Sequence, residues 1–353
     1  MKVLVVGAAG FIGKNLVLRL QELGHEVFMF DKNNSLNDLA TITDEVSFIY
    51  HLGGINRAGS DEEFVTGNVD LTSAVVKMAS QKNLPVLYSS TTKIETEPYL
   101  VYSITKLQGE KIVKKLGKNG HIICLPNVFG KWAQPFYNSV VATFIEQVYQ
   151  DQVMVTHDAK LTLAYIDDVT EVLLSYLGPK VLPLVTYEKT VPEIASLLRF
   201  FKKELTTFTF SRKDDFETKL FATFLSAIPK SDLFHPLNVH LDERGSFTEL
   251  IKSEHQMQVS LNVINPGFTK GNHYHHTKIE IFTCIDGEAE VTLKHLGNGD
   301  EFMIVLNSLH RTVFIPPGYL HQISNKQAQE FKMLIYSFSF FDPEHSDTYQ
   351  EMK

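Results

Sequence analysis

The sequence predicts an α/β, doubly wound parallel sheet followed by an all-β barrel, and three observations carry that reading. The chain has 353 residues, enough for two domains of about 150 residues each. Up to about residue 205 it alternates short apolar, β-branched runs with stretches of helical period, the rhythm of a parallel sheet covered on both faces. Beyond about residue 235 the rhythm gives way to short strands divided by Gly, Pro and Asn turns, as in VSLNVINPG, AEVTLKHLGNGD and FMIVLNS. The expected domains are therefore residues 1–235 and 236–353.

Composition narrows the class. Hydrophobic residues make up 44% and charged residues 21%, which excludes a disordered or collagenous chain. Acidic residues outnumber basic ones, 41 to 33, so no basic footprint invites nucleic acid or an anionic membrane, and neither partner is expected. The opening MKVLVVGAAGFIG is too short and too broken by glycine for a signal peptide, and no apolar run approaches the ~20 residues of a membrane span. The two cysteines, Cys124 and Cys284, lie in apolar runs outside any CxxC pair. They support neither a disulfide framework nor a zinc-thiolate site, and a reducing, cytoplasmic setting is expected.

In chain order, Lys2 to Val6, Val27 to Phe30, Ser47 to His51, Val86 to Ser89 and His121 to Leu125 read as the parallel strands. The segments TVPEIASLLRFFKKEL and DDFETKLFATFLSAI read as amphipathic helices closing the first domain, with a linker near residues 228–238. Gly7, Gly10 and Gly13 fall between the first strand and a helix start, where glycine lets the backbone turn tightly against a pyrophosphate. Asp31 ends the next strand about 20 residues on, the place for a ribose contact. Ser89, Ser90 and Thr91 end a later strand, and Tyr102 and Lys106 share one face of the helix that follows. There the ammonium can stabilise a phenolate that exchanges a proton with a sugar carbonyl. A Tyr-x3-Lys pair arises by chance roughly once per chain at this tyrosine content. The order of glycine turn, acidic strand end, hydroxyl strand end and Tyr-x3-Lys helix is what makes it informative.

The second half carries G-x5-H-x-H-x4-E-x6-G, with Gly267, His273, His275, Glu280 and Gly287, then Pro316, Gly318, His321 and Asn325 as P-x-G-x2-H-x3-N. Two histidines one residue apart on a strand face the same way, a glutamate from the paired strand completes three sides, and His321 supplies a fourth ligand. Imidazoles with one carboxylate suit Zn, Fe, Mn or Ni. His276 breaks the alternation and reads as a surface residue, a base, or a ligand by register slip.

These motifs carry a resemblance. Residues 1 to about 205 resemble extended short-chain dehydrogenase/reductases, which implies a Rossmann-like fold acting on nucleotide sugars, with Thr91 joining Tyr102 and Lys106 in catalysis and Ser90 as the fallback. It implies cofactor contacts from Gly7, Gly10, Phe11, Ile12, Gly13, Asp31, Lys32 and Lys106, and from Leu52 and Gly53 in HLGG. In LPNVFGKW it places Asn127 at the substrate, and YIDDV at Tyr165 to Val169 reads as structural. The second half resembles cupins, jelly-roll barrels in which the His273, His275, Glu280 and His321 positions hold a metal or, in some members, substrate without one; the second motif lacks its leading glycine, because position 310 is His. The stretch DERGSFTE resembles sugar-nucleotide 3,5-epimerases and gives Arg244 either a substrate phosphate or an interface ion pair.

Along essentially the whole chain, including GKW from Gly130 and YNSVVATF from Tyr137, the sequence resembles the bifunctional capsular polysaccharide enzymes of the UDP-N-acetyl-L-fucosamine pathway. That resemblance implies C3 epimerisation of a UDP-2-acetamido-2,6-dideoxy-4-ketohexose in the cupin, then C4 reduction to UDP-2-acetamido-2,6-dideoxy-L-talose. It further implies a UDP-sugar substrate, one divalent metal with zinc expected, a homodimer, and NADP(H), with NAD(H) the alternative. Asp31 repels a 2′-phosphate while Lys32 attracts one, so the motif leaves the cofactor open. Two other readings stand beside this one: a 4-keto sugar reductase whose cupin is only a structural dimerisation module, and a non-catalytic sugar-binding or redox-sensing protein, against which Thr91, Tyr102 and Lys106 argue.

Overall fold

Runs of β-branched and apolar residues with no polar face belong in a sheet buried on both sides. In the computed structural model, which describes residues 1–137, 139–152, 158–229, 232, 237–253, 257–296, 298–339 and 346–350, the N-terminal runs take that place. β1 (Lys2–Val6), β2 (Glu26–Phe30), β3 (Phe48–His51), β4 (Val86–Thr91) and β5 (Gly120–Leu125) form one parallel sheet in the order β2-β1-β3-β4-β5. Alternate residues of β1 feed two cores: Val3 and Val5 pack with Leu16, Leu20 and Tyr50, and Leu4 and Val6 with Phe30, Leu39 and Val75. The connection from β2 crosses over β1 to β3, so the topological switch lies between β1 and β3, and the crevice opens at the carboxyl ends of those strands.

The covering helices are α1 (Phe11–Glu22), α2 (Leu36–Thr43), α3 (Asp61–Phe64), which runs through a π-helical turn into α4 (Leu71–Gln81), α5 (Lys93–Thr96) and α6 (Val101–Val113). β6 (Asn127–Phe129), β7 (Lys160–Tyr165) and β8 (Tyr187–Thr190) make a small second sheet, accompanied by α7 (Val140–Tyr149) and α8 (Ile166–Ser175). The two expected amphipathic helices are α9 (Val191–Thr207) and α10 (Asp215–Ala227). Thr190 and Glu193 cap the start of α9 reciprocally, and Asp214 caps α10. Within YIDDV, Asp167 pairs with Lys131 and Asp168 with Lys219, so this motif ties helices and loops together.

Contacts group Met1–Lys202 with Asp214–Lys230, and Lys203–Lys213 with Ser231–Lys353. The second unit opens with β9 (Thr209–Phe210), whose backbone pairs with β11 (Gly245–Ser253) beside β10 (Val239–Asp242). Of the expected linker, residues 230, 231 and 233–236 lie outside the described residues, as does residue 138 of the YNSVVATF segment. The remaining strands are β12 (Met257–Ile264), β13 (Thr269–Tyr274), β14 (Glu280–Asp286), β15 (Ala289–His295), β16 (Glu301–Leu306), β17 (Thr312–Ile315), β18 (Tyr319–Ser324), β19 (Phe331–Ser337) and β20 (Tyr349–Gln350). They form two sheets, β10-β11-β12-β19-β14-β17 and β16-β15-β18-β13-β20, around a core of Phe282, Val291, Leu293, Ile315, Phe331 and Met333. The expected fold class, a Rossmann-like sheet plus a C-terminal cupin, holds. Among the described residues no helix is long and apolar enough to cross a membrane.

Candidate functional site

Two cavities gather the residues that the sequence singled out, one in each unit. The first begins at the glycine turn. Gly7 holds φ +84°, and a Cβ there would stand 2.6 Å from the Gly53 nitrogen; at Gly13 a Cβ would stand 2.1 Å from the Gly7 carbonyl oxygen. Both positions therefore exclude any side chain. Gly10 precedes α1 without a side-chain cap, and the first turn carries no acidic residue, so the orphan N–H groups of that helix start present a favourable field to a pyrophosphate. Asp31 accepts a 2.7 Å hydrogen bond from the Ala9 N–H, tying the end of β2 to the same turn. These features fit a dinucleotide.

Thr91 closes β4, and α6 sets Tyr102 and Lys106 one turn apart. A cavity of about 650 Å³ is lined by Gly7, Gly10, Phe11, Ile12, Gly13, Leu52, Thr91, Tyr102, Lys106 and Asn127. Burial raises the Tyr102 pKa, opposed by a hydrogen bond with Thr91. Lys106 is buried and its ammonium lies 4.1 Å from the Tyr88 ring centroid. Burial pushes it down to about 7, against the upward pull of Glu110 and Cys124. Ser90, the fallback, donates at 2.7 Å to Glu110 and is committed there. Gly53, Asp31 and Lys32 are not on the cavity wall: Gly53 packs under Gly7, Asp31 steadies the turn, and Lys32 is exposed.

Sequence reasoning passed over Tyr88, Asn68 and Arg57. Asn68, buried in the π-helical turn, bonds Ile55 on both sides and donates to Thr105, one residue before Lys106. Arg57 lines the cavity and donates to the Phe136 carbonyl. Their only signal was position: Arg57 just after β3, Asn68 along the helix facing α6, and Tyr88 within β4, ahead of Thr91.

The second cavity, about 620 Å³, lies inside the barrel and is lined by His273, His275, Glu280 and His321 together with Arg244, Lys270, Lys278, Asn262 and Ser260. The ligand atoms of the three histidines and Glu280 all lie within 4.8 Å of one another. His275 Nε2 and His321 Nε2 each stand 3.6 Å from Glu280 Oε2. Tetrahedral ligands about 2.1 Å from a metal are about 3.4 Å apart, so the spacing fits an ion. Both Nε2 atoms are buried and, among the described residues, have no hydrogen-bond partner, while the Nδ1 atoms face the Asp347 and Tyr319 carbonyls. Burial drives His273 down and His321 down to about 4, each pushed further by a neighbouring histidine. On Glu280 burial acts upward, but the adjacent His275 and His321 and the Lys278 ammonium hold it below the ordinary carboxylate range. Neutral imidazoles around a carboxylate are what a divalent cation requires.

One expectation is corrected. Glu280 does not come from the strand paired with the histidines: β13 pairs with β18, placing His273 opposite His321, whereas β14 belongs to the other sheet. The carboxylate reaches the cup across the barrel because its strand turns an inward face to the same interior. His276 is exposed and meets the Tyr349 ring edge-on. Arg244 is on the cavity wall but paired to Asp242 within its own turn, through Nε at 3.0 Å and Nη2 at 2.5 Å.

The family model described as NAD dependent epimerase/dehydratase matches residues 3–180. A curated Pseudomonas aeruginosa protein, UDP-2-acetamido-2,6-beta-L-arabino-hexul-4-ose reductase, is 34% identical over 99% of this chain and 98% of its own. The chain belongs to the NAD dependent epimerase/dehydratase family. As a member of it, the chain adds a second region: the polysaccharide biosynthesis C-terminal domain model matches residues 240–349. Among solved structures, capsular polysaccharide assembling protein CapF from Staphylococcus aureus is 32% identical, with both chains covered completely and a TM-score of 0.89. CapF with the inhibitor 3-isopropenyl-tropolone is 30% identical over the same coverage, with a TM-score of 0.83.

Proposed function

We propose that this family member is a bifunctional UDP-sugar enzyme of polysaccharide biosynthesis, a 4-keto sugar reductase in residues 1–235 and a C3 epimerase in the cupin of residues 236–353. The observation that carries the reductase is the single cavity shared by the glycine turn, Thr91, Tyr102 and Lys106. The name of the curated relative, a UDP-sugar hexul-4-ose reductase, supports it over nearly the full length. When bound, a reduced nicotinamide supplies the hydride. Tyr102 gives its proton to the C4 oxygen, Thr91 orients that phenol, and the Lys106 ammonium stabilises the phenolate left behind. Asn127 and Arg244 are assigned to the substrate, the dinucleotide contacts to Gly7, Gly10, Phe11, Ile12, Gly13, Asp31, Lys32, Leu52, Gly53 and Lys106, and the cofactor to NADPH. The protein works as a cytoplasmic homodimer.

His273, His275, Glu280 and His321 hold a divalent ion, assigned as zinc, which as a Lewis acid supplies polarisation of a bound carbonyl. Epimerisation precedes reduction, because a C3 proton is acidic only while C4 is a ketone. Its removal gives an enolate, reprotonation on the opposite face inverts C3, and reduction then removes the activating ketone and locks the product as the L-talose derivative. The test is NADPH consumption across a panel of UDP-4-keto sugars, with deuterium exchange at C3 followed in buffered D₂O without NADPH. The reading expects consumption with the 2-acetamido-2,6-dideoxy-4-keto sugar and exchange ahead of it. No consumption with any member defeats the reductase assignment. Consumption without C3 exchange favours a reductase with a structural cupin.

A further inference from the structure

The metal cup is held from behind by residues far along the chain. The Asp347 carboxylate receives four hydrogen bonds from the turn between His275 and Glu280: Oδ1 from the His276 N–H at 2.9 Å, and Oδ2 from the Thr277 N–H at 2.8 Å, the Thr277 hydroxyl at 2.7 Å and the Lys278 N–H at 2.8 Å. The backbone carbonyl of Asp347 also meets His275 Nδ1. Just beyond, β20 pairs with the ligand strand, Tyr349 opposite Tyr274 and Gln350 opposite His273, with the two tyrosine rings stacked 5.6 Å apart.

A carbonyl oxygen only accepts, so His275 Nδ1 must carry the ring proton, and Nε2 is left with a bare lone pair. That atom is the buried one beside Glu280, without a hydrogen-bond partner among the described residues. The carboxylate does not touch the cup itself. It fixes the turn, and with it the carbonyl that selects the His275 tautomer.

We propose that Asp347 is a positioning residue for the metal cup: by clamping the His276 to Lys278 turn it sets the His275 tautomer and orientation and so raises the affinity of the cup for a divalent cation. The inference rests on the metal reading given above. Outer partners of metal ligands commonly contribute 10–100-fold in affinity, and here a single aspartate combines a clamp on the ligand turn with a carbonyl partner for the ligand ring.

The experiment uses the full chain and zinc, with affinity measured by competition against a chromophoric chelator at fixed pH. Wild type is expected to bind one zinc per chain, and Asp347→Ala about 10–100-fold more weakly. Asp347→Asn, which keeps the backbone carbonyl and one acceptor oxygen, should fall between them, and Thr277→Val, which removes one hydrogen bond, should lose least. Long-range ¹H–¹⁵N spectra of the zinc-free protein supply a readout that simple loosening of the barrel does not move: His275 is expected as the Nδ1–H tautomer in wild type and as a mixture in Asp347→Ala. If Asp347→Ala lowers the folded fraction, the Asn and Thr277 variants carry the same ranking. Wild-type affinity and an unchanged tautomer in the aspartate variants overturn the inference alone. A wild-type chain that binds no zinc overturns it together with the metal reading.

Discussion

The two cavities are of similar size, about 650 and 620 Å³, yet they are built in opposite ways. In the parallel sheet the site lies beyond the strand ends, so the strands stay buried and the functional residues sit where strands stop and helices start: Gly7 after β1, Leu52 after β3, Thr91 at the end of β4. In the barrel the site is the interior itself. There β12 inverts the usual alternation, burying Gln258, Ser260 and Asn262 while Val259, Leu261 and Val263 are only half-buried. A site at sheet ends leaves the core apolar, whereas a site inside a barrel places polar groups in core positions that must then be satisfied by each other, an ion or substrate.

The difference is sharpest when each site is disabled alone. Tyr102→Phe should cut C4 reduction by about 10²–10⁴-fold while leaving C3 exchange and cofactor binding intact, because only the proton donor is lost. A loss under about tenfold would count against Tyr102 as the proton donor, whereas a parallel loss of exchange would merge the two sites. In the reciprocal variant, His273→Ala with Glu280→Ala, metal affinity should fall by more than about 100-fold and C3 exchange should stop. Reduction of an already epimerised substrate should continue, and metal content by mass spectrometry together with separate assays of both half-reactions checks this.

Charge burial separates the regions next. Lys106 is held down to about 7 by burial, whereas an unfolded lysine titrates near about 10.4. Between those values the unfolded chain binds a proton that the folded one lacks, so stability rises as pH climbs from about 7 to about 10, and the penalty is complete below about 7. Cofactor-free Lys106→Met should therefore exceed wild type in stability by about 1–4 kcal/mol at pH ~6, a gap that closes toward pH ~10. Urea unfolding followed by Trp132, the only tryptophan and a residue of the first unit, reads this. A gap of equal size at both pH values contradicts it. The smallest expected effect is at Asp31. Asp31→Ala should move the kcat/KM ratio toward NADPH by several-fold, on the order of 1 kcal/mol for a partly exposed charge, and an unchanged ratio means that this carboxylate serves only the Ala9 contact.

Much of the first unit was legible in the sequence because its information is local. Five strands fall within a few residues of the expected runs, and the glycine turn, the hydroxyl strand end and the Tyr-x3-Lys helix occur in the order in which a parallel sheet lays them around its crevice. The identities of His273, His275, Glu280 and His321 were legible too, since ligand spacing is chemistry written along the chain.

What the sequence by itself determined, then, is the class of each unit and the residue types at each site, because propensity, periodicity and ligand spacing act over a few neighbouring positions. Tertiary structure alone decided that Glu280 approaches from the opposite sheet, that Tyr88 lies beneath the Lys106 ammonium, that Lys203–Lys213 groups with the barrel strands, and that Asp347 backs His275 from 72 residues away. These depend on which strands meet across a closed barrel and which side chains share a dry interior. No period or spacing records such a pairing, because its free energy arises only when distant segments bury the same space together.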